Sequence, residues 1–214
     1  MIPLLHDFEG QTVLVVGGGR VGARKARRFA READVVVLSP DFADADFGGA
    51  ERVRASPDPG AVGEWVDRTD PALVVAATDD EAVNDAVAAA ARERNSLVNR
   101  ADQAGERDPG SVVVPATVRD DPVVVAVATG GRSPALSRAL RERIEPVVAD
   151  AEAMADLTTE LRADLKERLG PDQRRAVLRA VVRDEDVWKG LDSGSSKLEQ
   201  RVSDVISDVT GDYS

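Results

Sequence analysis

Three glycines at a strand-to-helix turn are the sharpest chemical signal in the sequence. Gly17, Gly19 and Gly22 are spaced G-x-G-x-x-G, directly after the apolar run 12–16. The first glycine permits a tight turn, the second lets a pyrophosphate approach the backbone, and the third lets a helix pack on a sheet. The helix N-terminus that follows offers unpaired N–H groups to phosphates. The pattern predicts dinucleotide binding; the alternative is a glycine-rich turn that has lost its ligand.

The end of the second predicted strand should hold the adenosine ribose, for which an acidic side chain is expected. Ser39 stands at the strand end itself, and Asp41 follows close enough to serve. No arginine follows in the segment 39–42, so a 2′-phosphate would lack a partner there. We therefore expect NAD rather than NADP as the cofactor.

Positive charge is concentrated where the glycine turn leads into its helix. The segment 20–31 has six basic residues and no acid, although the whole chain has a net charge of −11. The six are Arg20, Arg24, Lys25, Arg27, Arg28 and Arg31. Because cations in the first turns of a helix oppose its dipole, an anionic ligand best explains the first three. A solvated helix face remains an equal alternative for the last three.

A second basic segment follows Gly130-Gly131. It contains Arg132, Arg138, Arg141 and Arg143, with Glu142 as its one acid. Arginine binds carboxylates through two parallel hydrogen bonds. The two basic segments together predict a substrate with several carboxylates.

Few residue types are available for acid–base or nucleophilic catalysis. His6 is the one histidine and cysteine is absent, which excludes thiolate metal sites and cysteine nucleophiles and argues against a Ser-His-Asp triad. Acid–base chemistry must therefore fall on carboxylates. Ligands of doubly wound sheets bind beyond the carboxyl ends of the strands. The candidates there are Asp79 and Asp80 after the fourth strand and Asn99 and Asp102 after the fifth, with a cap or loop role as the alternative for each aspartate.

Alternating strands and helices must position these residues. Continuous apolar runs are typical of strands buried on both faces of a parallel sheet. The predicted strands are 12–16, 35–38, 51–54, 73–77 and 96–98, with helices after the glycine turn and after 78–80. This order predicts an α/β domain with a Rossmann-type parallel sheet over residues 1–110.

Residues 111–145 predict a small β dimerisation region and the start of a helix. The apolar runs 111–115 and 122–128 have no helix between them, so they predict a hairpin. Two strands alone are marginally stable in water, and pairing with a second subunit would stabilise them. Ser133 and Pro134 then open a helix as its N-cap and first residue.

Residues 146–214 predict a helical C-terminal domain. Apolar residues recur at helical spacing from Met154 to Leu169 and again from Leu198 to Val209. Such stripes are more often a core or partner face than a membrane-binding one.

The acidic composition excludes several classes of protein. A net charge of −11 with 3% aromatic residues lacks the positive charge and the stacking surface of a nucleic-acid binder. No apolar run approaches the roughly 20 residues that span a bilayer, and no signal peptide is recognised, so a cytoplasmic location is expected. The excess of acid with only four lysines favours a high-salt, halophilic cytoplasm; an acidic mesophilic protein is the alternative.

Four segments in order give the sequence a specific resemblance. They are GGGRVGARKA (17–26), AATDDEAVN (76–84), NRAD (99–102) and ATGGRSPALSR (128–138). Together they resemble the precorrin-2 dehydrogenase/sirohydrochlorin ferrochelatase family of siroheme synthesis, over residues 1–145. The resemblance implies NAD-dependent oxidation of precorrin-2 to sirohydrochlorin by a stand-alone homodimer. In some members insertion of Fe²⁺ into sirohydrochlorin follows.

The resemblance also implies roles for individual residues. The family's essential aspartate, a general base, corresponds to Asp102. The segment 103–107 lengthens the loop before Asp108, which leaves Asp108 as an alternative, although Asn99 favours Asp102. Cofactor contacts are implied for Arg20, Val21, Asp41 and Phe42, with Thr78 and Asp79 lining the site and Ser133 as a tetrapyrrole contact or phosphorylation position.

The implied substrate agrees with the basic segments. Precorrin-2 carries many carboxylates, so Arg24, Lys25, Arg132 and Arg138 are the predicted side chains that bind it. Metal insertion needs no tight set of protein ligands, because the tetrapyrrole nitrogens are the ligands. The alternative function is a regulatory module that senses a dinucleotide and acts through its helical tail. A sensor needs no polyanion site, so the second basic segment argues against it.

Overall fold

The structure, a computed structural model, divides into two compact units. It describes residues 2–56, 58–103, 110–191 and 196–211. The first unit is Met1–Val114 with Gly130–Arg132, and the second is Pro115–Thr129 with Ser133–Ser214. The predicted domain boundaries at 110 and 145 stay predictions, because a compact unit need not fold alone.

Five parallel strands form the sheet of the first unit. They are β1 (Thr12–Val16), β2 (Asp34–Ser39), β3 (Glu51–Arg54), β4 (Leu73–Ala76) and β5 (Leu97–Arg100). The connecting helices are α1 (Arg20–Phe29), α2 (Val62–Thr69) and α3 (Glu81–Glu93). The strand order is β3-β2-β1-β4-β5, which confirms the predicted Rossmann-type parallel sheet.

The central strands are buried on both faces, as their continuous apolar sequences predict. Val13–Val16 of β1 and every residue of β4 are buried. One face packs against α1 through Ala23 and Ala26, and the other packs against α2 and α3. This core holds the carboxyl ends of the strands at one edge of the sheet.

The strand order reverses between β1 and β4, and such a switch point is where ligands of doubly wound sheets bind. The chain leaving β1 turns between its two neighbours: Gly17 N donates to Leu38 O at 2.9 Å, and Ala77 N donates to Val16 O at 2.8 Å. The glycine turn therefore lies at the switch point.

The predicted hairpin exists, but its first strand was placed wrongly. The antiparallel pair is β6 (Ala116–Asp120) with β7 (Val123–Val127), not 111–115 with 122–128. Arg119 and Asp120, predicted to lie in the connection, pair with Val124 and Val123 inside the ladder.

The apolar run 111–114 instead begins on the edge of the parallel sheet. Ser111 bridges Val98 of β5 in parallel, and Val112 N donates to Val98 O at 2.7 Å. Asn99 Nδ2 donates to Val112 O at 2.8 Å. These bonds satisfy backbone groups that the predicted hairpin pairing would have used.

The rest of the second unit is helical, as predicted. Its helices are α4 (Pro134–Ile144), α5 (Ala151–Asp164), α6 (Pro171–Arg183), α7 (Glu185–Leu191) and α8 (Ser196–Thr210). Their core contains Met154, Leu165, Val177, Val181, Val187, Val202 and Val205. Within the described ranges, none of the helices has the length and apolar character needed to cross a membrane.

Candidate dinucleotide and catalytic site

The glycine turn has the geometry that its spacing predicts. Gly17 has φ +121°, and a Cβ there would lie 2.3 Å from Ala77 O. A Cβ on Gly22 would lie 1.8 Å from Gly17 O, so the helix could not approach the turn. Around Gly19, by contrast, nothing lies within 4 Å of an added Cβ. Two glycines therefore allow close packing, and the third faces open space.

The N-terminus of α1 is left open for an anion. Gly19 is its N-cap, no side chain caps the helix, and its first turn contains no acid. Arg20 and Val21 are exposed beside it, as is Arg24 one turn later. Neither arginine has an ion-pair partner among the residues that the structure describes. The open helix end and its cations fit the pyrophosphate of a dinucleotide.

Asp41 and Phe42 lie beside this turn, as the sequence predicts for cofactor-binding residues. A Cβ on Gly18 would lie 2.3 Å from Asp41 O, and Ala43 N donates to Gly18 O at 2.8 Å. The segment after β2 therefore packs directly on the glycine turn. The Asp41 side chain itself is 92% exposed.

An arginine does stand beside Asp41, which corrects the expectation that a 2′-phosphate would lack such a partner. Arg54 Nη1 donates to Asp41 Oδ1 at 3.2 Å and to Pro40 O at 3.3 Å. Arg54 comes from β3, whose parallel register sets it opposite Ser39. Arg54 is 13 residues beyond Asp41 in the chain, and only the pairing of β3 with β2 brings the two side chains together.

Asp102 is held by a buried guanidinium. Arg100 ends β5, and its side chain is only 4% exposed. Its Nε donates to Asp102 Oδ1 at 2.9 Å and its Nη2 to Oδ2 at 2.7 Å, and its Nη1 pairs with Asp85. Sequence reasoning gave Arg100 no role. The available signal was a charged residue that ends an apolar strand two positions before Asp102.

These bonds favour the ionised form of Asp102. Hydrogen bonds from Arg100 lower the pKa of Asp102 below its usual value, against partial burial, which acts to raise it. The reciprocal bonds raise the pKa of Arg100. Asp102 is therefore a carboxylate at neutral pH, with its side chain 28% exposed.

Asn84 ties Asp102 to the end of β4. This buried amide of α3 donates from Nδ2 to Asp102 Oδ2 at 3.2 Å and to Thr78 O at 3.0 Å. Its Oδ1 accepts from Thr78 Oγ1 at 2.8 Å. Thr78 N would lie 3.0 Å from a Cβ on Gly17, so contacts run from the glycine turn to Asp102. The sequence alone predicted no role for Asn84. The feature that could have indicated one is a polar amide residue on an otherwise alanine-rich helix.

The other acids of this edge differ in their roles. Asp80 is the N-cap of α3 and accepts from Ala82 N and Val83 N, so the capping alternative holds for it. Asp79, between Thr78 and this cap, is exposed. Asp108, the alternative catalytic aspartate, lies outside the described residues.

Lys25 and the second basic segment have partners within the chain. Lys25 Nζ donates to Asn99 Oδ1 at 2.9 Å. Ser133 Oγ accepts from Leu136 N at 3.3 Å, which confirms the predicted N-cap of α4. Arg138 Nε pairs with Glu142 Oε1 at 3.1 Å on the exposed face of α4. Arg132 is exposed. Substrate binding by these four side chains stays a prediction.

Comparisons with known proteins identify the family of the chain. Residues 4–116 match NAD_binding_7, a family model described as NAD(P)-binding. A Methanosarcina barkeri protein named precorrin-2 dehydrogenase is 33% identical over 219 residues, covering 96% of this chain and 93% of that one. The chain belongs to the precorrin-2 dehydrogenase family. NAD is its cofactor class.

Two further matches bear on the fold and the length of family members. A siroheme synthase of Stutzerimonas stutzeri is 37% identical over 185 residues, which cover 82% of this chain but 37% of that protein. The solved structure of SirC, a precorrin-2 dehydrogenase, superposes with a TM-score of 0.67 at 23% identity. It covers 97% of this chain and 100% of SirC, so the two share their fold over nearly all of their length.

Proposed function

We propose that this protein oxidises precorrin-2 to sirohydrochlorin with NAD as hydride acceptor. The observation that carries the proposal is the contact series Gly17, Thr78, Asn84, Asp102. It connects a dinucleotide-binding turn to an ionised, part-exposed carboxylate at one edge of the sheet. NAD would supply the hydride chemistry, which leaves the protein to orient the reactants and to accept a proton.

The chain's own residues divide this work. The open N-terminus of α1, with Gly19, Arg20 and Val21, would hold the pyrophosphate. Asp41 would accept a hydrogen bond from the ribose hydroxyl, with Phe42 beside it. Thr78 and Asp79 follow β4 at the switch point, where they would line the nicotinamide half of the site.

Asp102 would act on the tetrapyrrole as a fixed negative charge and a proton acceptor. Loss of a hydride leaves positive charge on the substrate, which an ionised carboxylate stabilises. Arg100 and Asn84 donate three hydrogen bonds to Asp102, and its own backbone N–H also favours the ionised carboxylate. The side chain is still 28% exposed, and this exposed part is available to a substrate. The lowered pKa keeps Asp102 ionised for the charge-stabilising role, and it also makes Asp102 a weaker base than an ordinary aspartate.

The carboxylates of the substrate would bind to basic side chains. Arg24 is exposed one turn into α1, where the dipole makes an anionic partner favourable. Lys25, Arg132, Ser133 and Arg138 complete the proposed set. A polycarboxylate competes well for an exposed pair such as Arg138–Glu142, because such pairs are weak.

A homodimer is part of the proposal. Helix α4 has no buried residue, Leu136 is 49% exposed, and Val147 just beyond it is 73% exposed. A second copy that covers this apolar surface and the β6–β7 hairpin would stabilise both. Sedimentation should give a dimer for the intact chain and a monomer for Leu136→Glu; a wild-type monomer would contradict this part.

Insertion of Fe²⁺ into sirohydrochlorin is a second proposed activity. It would use Asp102 to accept protons from the tetrapyrrole nitrogens, which then bind the metal themselves. Absorbance spectra of purified protein mixed with sirohydrochlorin and Fe²⁺ or Co²⁺, compared with a no-enzyme control, test whether the protein inserts the metal.

We further propose a cytoplasmic location at high salt, which predicts higher activity in molar KCl than in dilute buffer.

The decisive experiment follows NADH formation from precorrin-2 under anaerobic conditions. Asp102→Ala should abolish turnover and leave the Kd of NADH nearly unchanged. If the wild type binds NAD but forms no NADH, the regulatory dinucleotide-sensing module replaces the enzyme. If Asp102→Ala keeps wild-type turnover, Asp108 becomes the candidate base.

A further inference from the structure

Two arginines of β3 extend the cofactor site beyond the residues that follow β2. Arg54 lies opposite Ser39, the last residue of β2, in the parallel register. The Arg54 and Arg52 guanidinium carbons lie 5.8 Å and 5.7 Å from the centroid of the Phe42 ring. Phe42 thus has two cations beside it, immediately after Asp41.

Asp41 holds one of these cations. Its Oδ1 accepts from Arg54 Nη1 at 3.2 Å, with the Asp41 side chain 92% exposed and that of Arg54 70% exposed. Water competes with such an exposed pair, so it is weak and opens readily. Either member can therefore turn to a ligand.

The two groups favour opposite ligands. At the end of β2 in this topology, an acidic side chain accepts a hydrogen bond from the ribose 2′-hydroxyl of NAD, and an arginine accommodates the 2′-phosphate of NADP. Asp41 would repel a phosphate and, through its pair, neutralise the arginine best placed to bind one. Without the Asp41 charge, Arg54 and Arg52 would face the phosphate as two cations.

We propose that the Asp41–Arg54 pair determines the choice between NAD and NADP. Asp41 selects NAD, and Arg54 is a 2′-phosphate-binding group whose attraction for the phosphate is opposed by the Asp41 charge. Removal of one carboxylate charge converts the site towards NADP without a new cation being introduced. The pair would act on the cofactor alone, whichever substrate is oxidised.

Calorimetric titration of the intact protein with NADH and NADPH tests the proposal without any turnover. The wild type should bind NADH more tightly. Asp41→Asn should raise the affinity for NADPH about tenfold, because a repulsive charge is replaced by a neutral group beside a released guanidinium. In the double variant Asp41→Asn/Arg54→Gln this gain should disappear, and the affinity for NADH should match that of Asp41→Asn.

Two controls isolate the pair from general charge effects. Asp44→Asn removes the same charge from the same exposed segment, and Arg31→Gln removes an exposed arginine beyond the end of α1. Neither should change the ratio of the two affinities. Adenosine 2′,5′-bisphosphate against 5′-AMP, titrated into the same variants, assigns the effect to the 2′-phosphate.

Three results would overturn the inference. Asp41→Asn could change the affinities for NADH and NADPH by the same factor, the Asp44→Asn control could match it, or the double variant could keep the gain. Because all four side chains are exposed, the variants should fold normally, and circular dichroism checks this.

Discussion

Two aspartate–arginine pairs stand at the same edge of one sheet in opposite surroundings. Asp102 and Arg100 come from the end of β5, with side chains 28% and 4% exposed. Asp41 and Arg54 come from the ends of β2 and β3, with side chains 92% and 70% exposed. The chemical groups are identical, so the difference between the pairs is one of burial and of the number of bonds.

Burial decides which pair is fixed and which can exchange partners. Arg100 grips Asp102 through two nitrogens, and Asn84 adds a third donor. Arg54 donates to Asp41 through one nitrogen, Nη1, which also donates to Pro40 O. A carboxylate that acts on a substrate needs the first arrangement, and a group that selects a ligand needs the second.

The largest expected effect separates the pairs by activity. Asp102→Asn should lower NADH formation about 100- to 10,000-fold, because a positioned proton acceptor contributes that much. Asp41→Asn should lower kcat/KM for NAD about tenfold, because the hydrogen bond from the ribose hydroxyl would then go to a neutral acceptor instead of a carboxylate. Anaerobic steady-state assays with precorrin-2 measure both. Equal losses of activity in the two variants would contradict the assignment of Asp102 to the reaction and of Asp41 to cofactor binding.

The next effect separates them by stability. Arg100→Gln should lower the free energy of unfolding by about 3 kcal/mol, because it leaves a part-buried Asp102 without its main partner. Arg54→Gln, at an exposed pair, should change it by less than about 1 kcal/mol. Urea unfolding gives both values. Arg100→Lys should recover part of the loss, since it keeps the charge but not the bidentate geometry.

A smaller effect depends on pH. The folded-state pKa of Asp102 is lowered, so its ionised form stabilises the fold above the unfolded-state pKa, near 3.8, and this contribution is lost as the pH falls through the lowered value. Asp102→Asn resembles the protonated acid. The stability difference between wild type and this variant should therefore be largest above about pH 5 and shrink at lower pH. A difference that grows on acidification would contradict the assigned pairing.

The smallest effect is the response to salt. The Debye length falls from about 10 Å at 0.1 M salt to about 3 Å at 1 M, which screens exposed charges more than buried ones. A double-mutant cycle on Asp41 and Arg54 should give a coupling that is smaller at 1 M than at 0.1 M KCl, whereas the coupling of Asp102 and Arg100 should change less. Equal salt dependence would place both pairs in the same environment.

The two pairs also mark what the sequence could reveal. The position of Asp102 at this edge of the sheet was predictable because it follows a strand, whereas its role as a base is implied by the family resemblance and stays a proposal. Arg54 was missed because residues distant in the chain become neighbours only once β3 is set beside β2. Arg100 was missed because burial of its charge follows from tertiary packing.

The first strand of the hairpin was also misplaced for a reason that lies outside the local sequence. The run 111–114 has the apolar character of a strand, but that character does not say which sheet it joins. Val112 O accepts from the Asn99 side chain, which is engaged in turn by Lys25. The predicted helices needed no such information, because caps and periodicity are local signals, as at Ser133.

The charged strand β3 has a consequence for the protein in crowded solution. It is an edge strand of four residues, and Glu51, Arg52 and Arg54 are exposed on it. Short, charged edges resist strand addition by other chains. At the opposite edge, β5 is already bridged by Ser111. Both margins of the sheet are thus protected against the edge-to-edge pairing that starts aggregation, and at β3 the arginines beside the proposed cofactor site provide that protection.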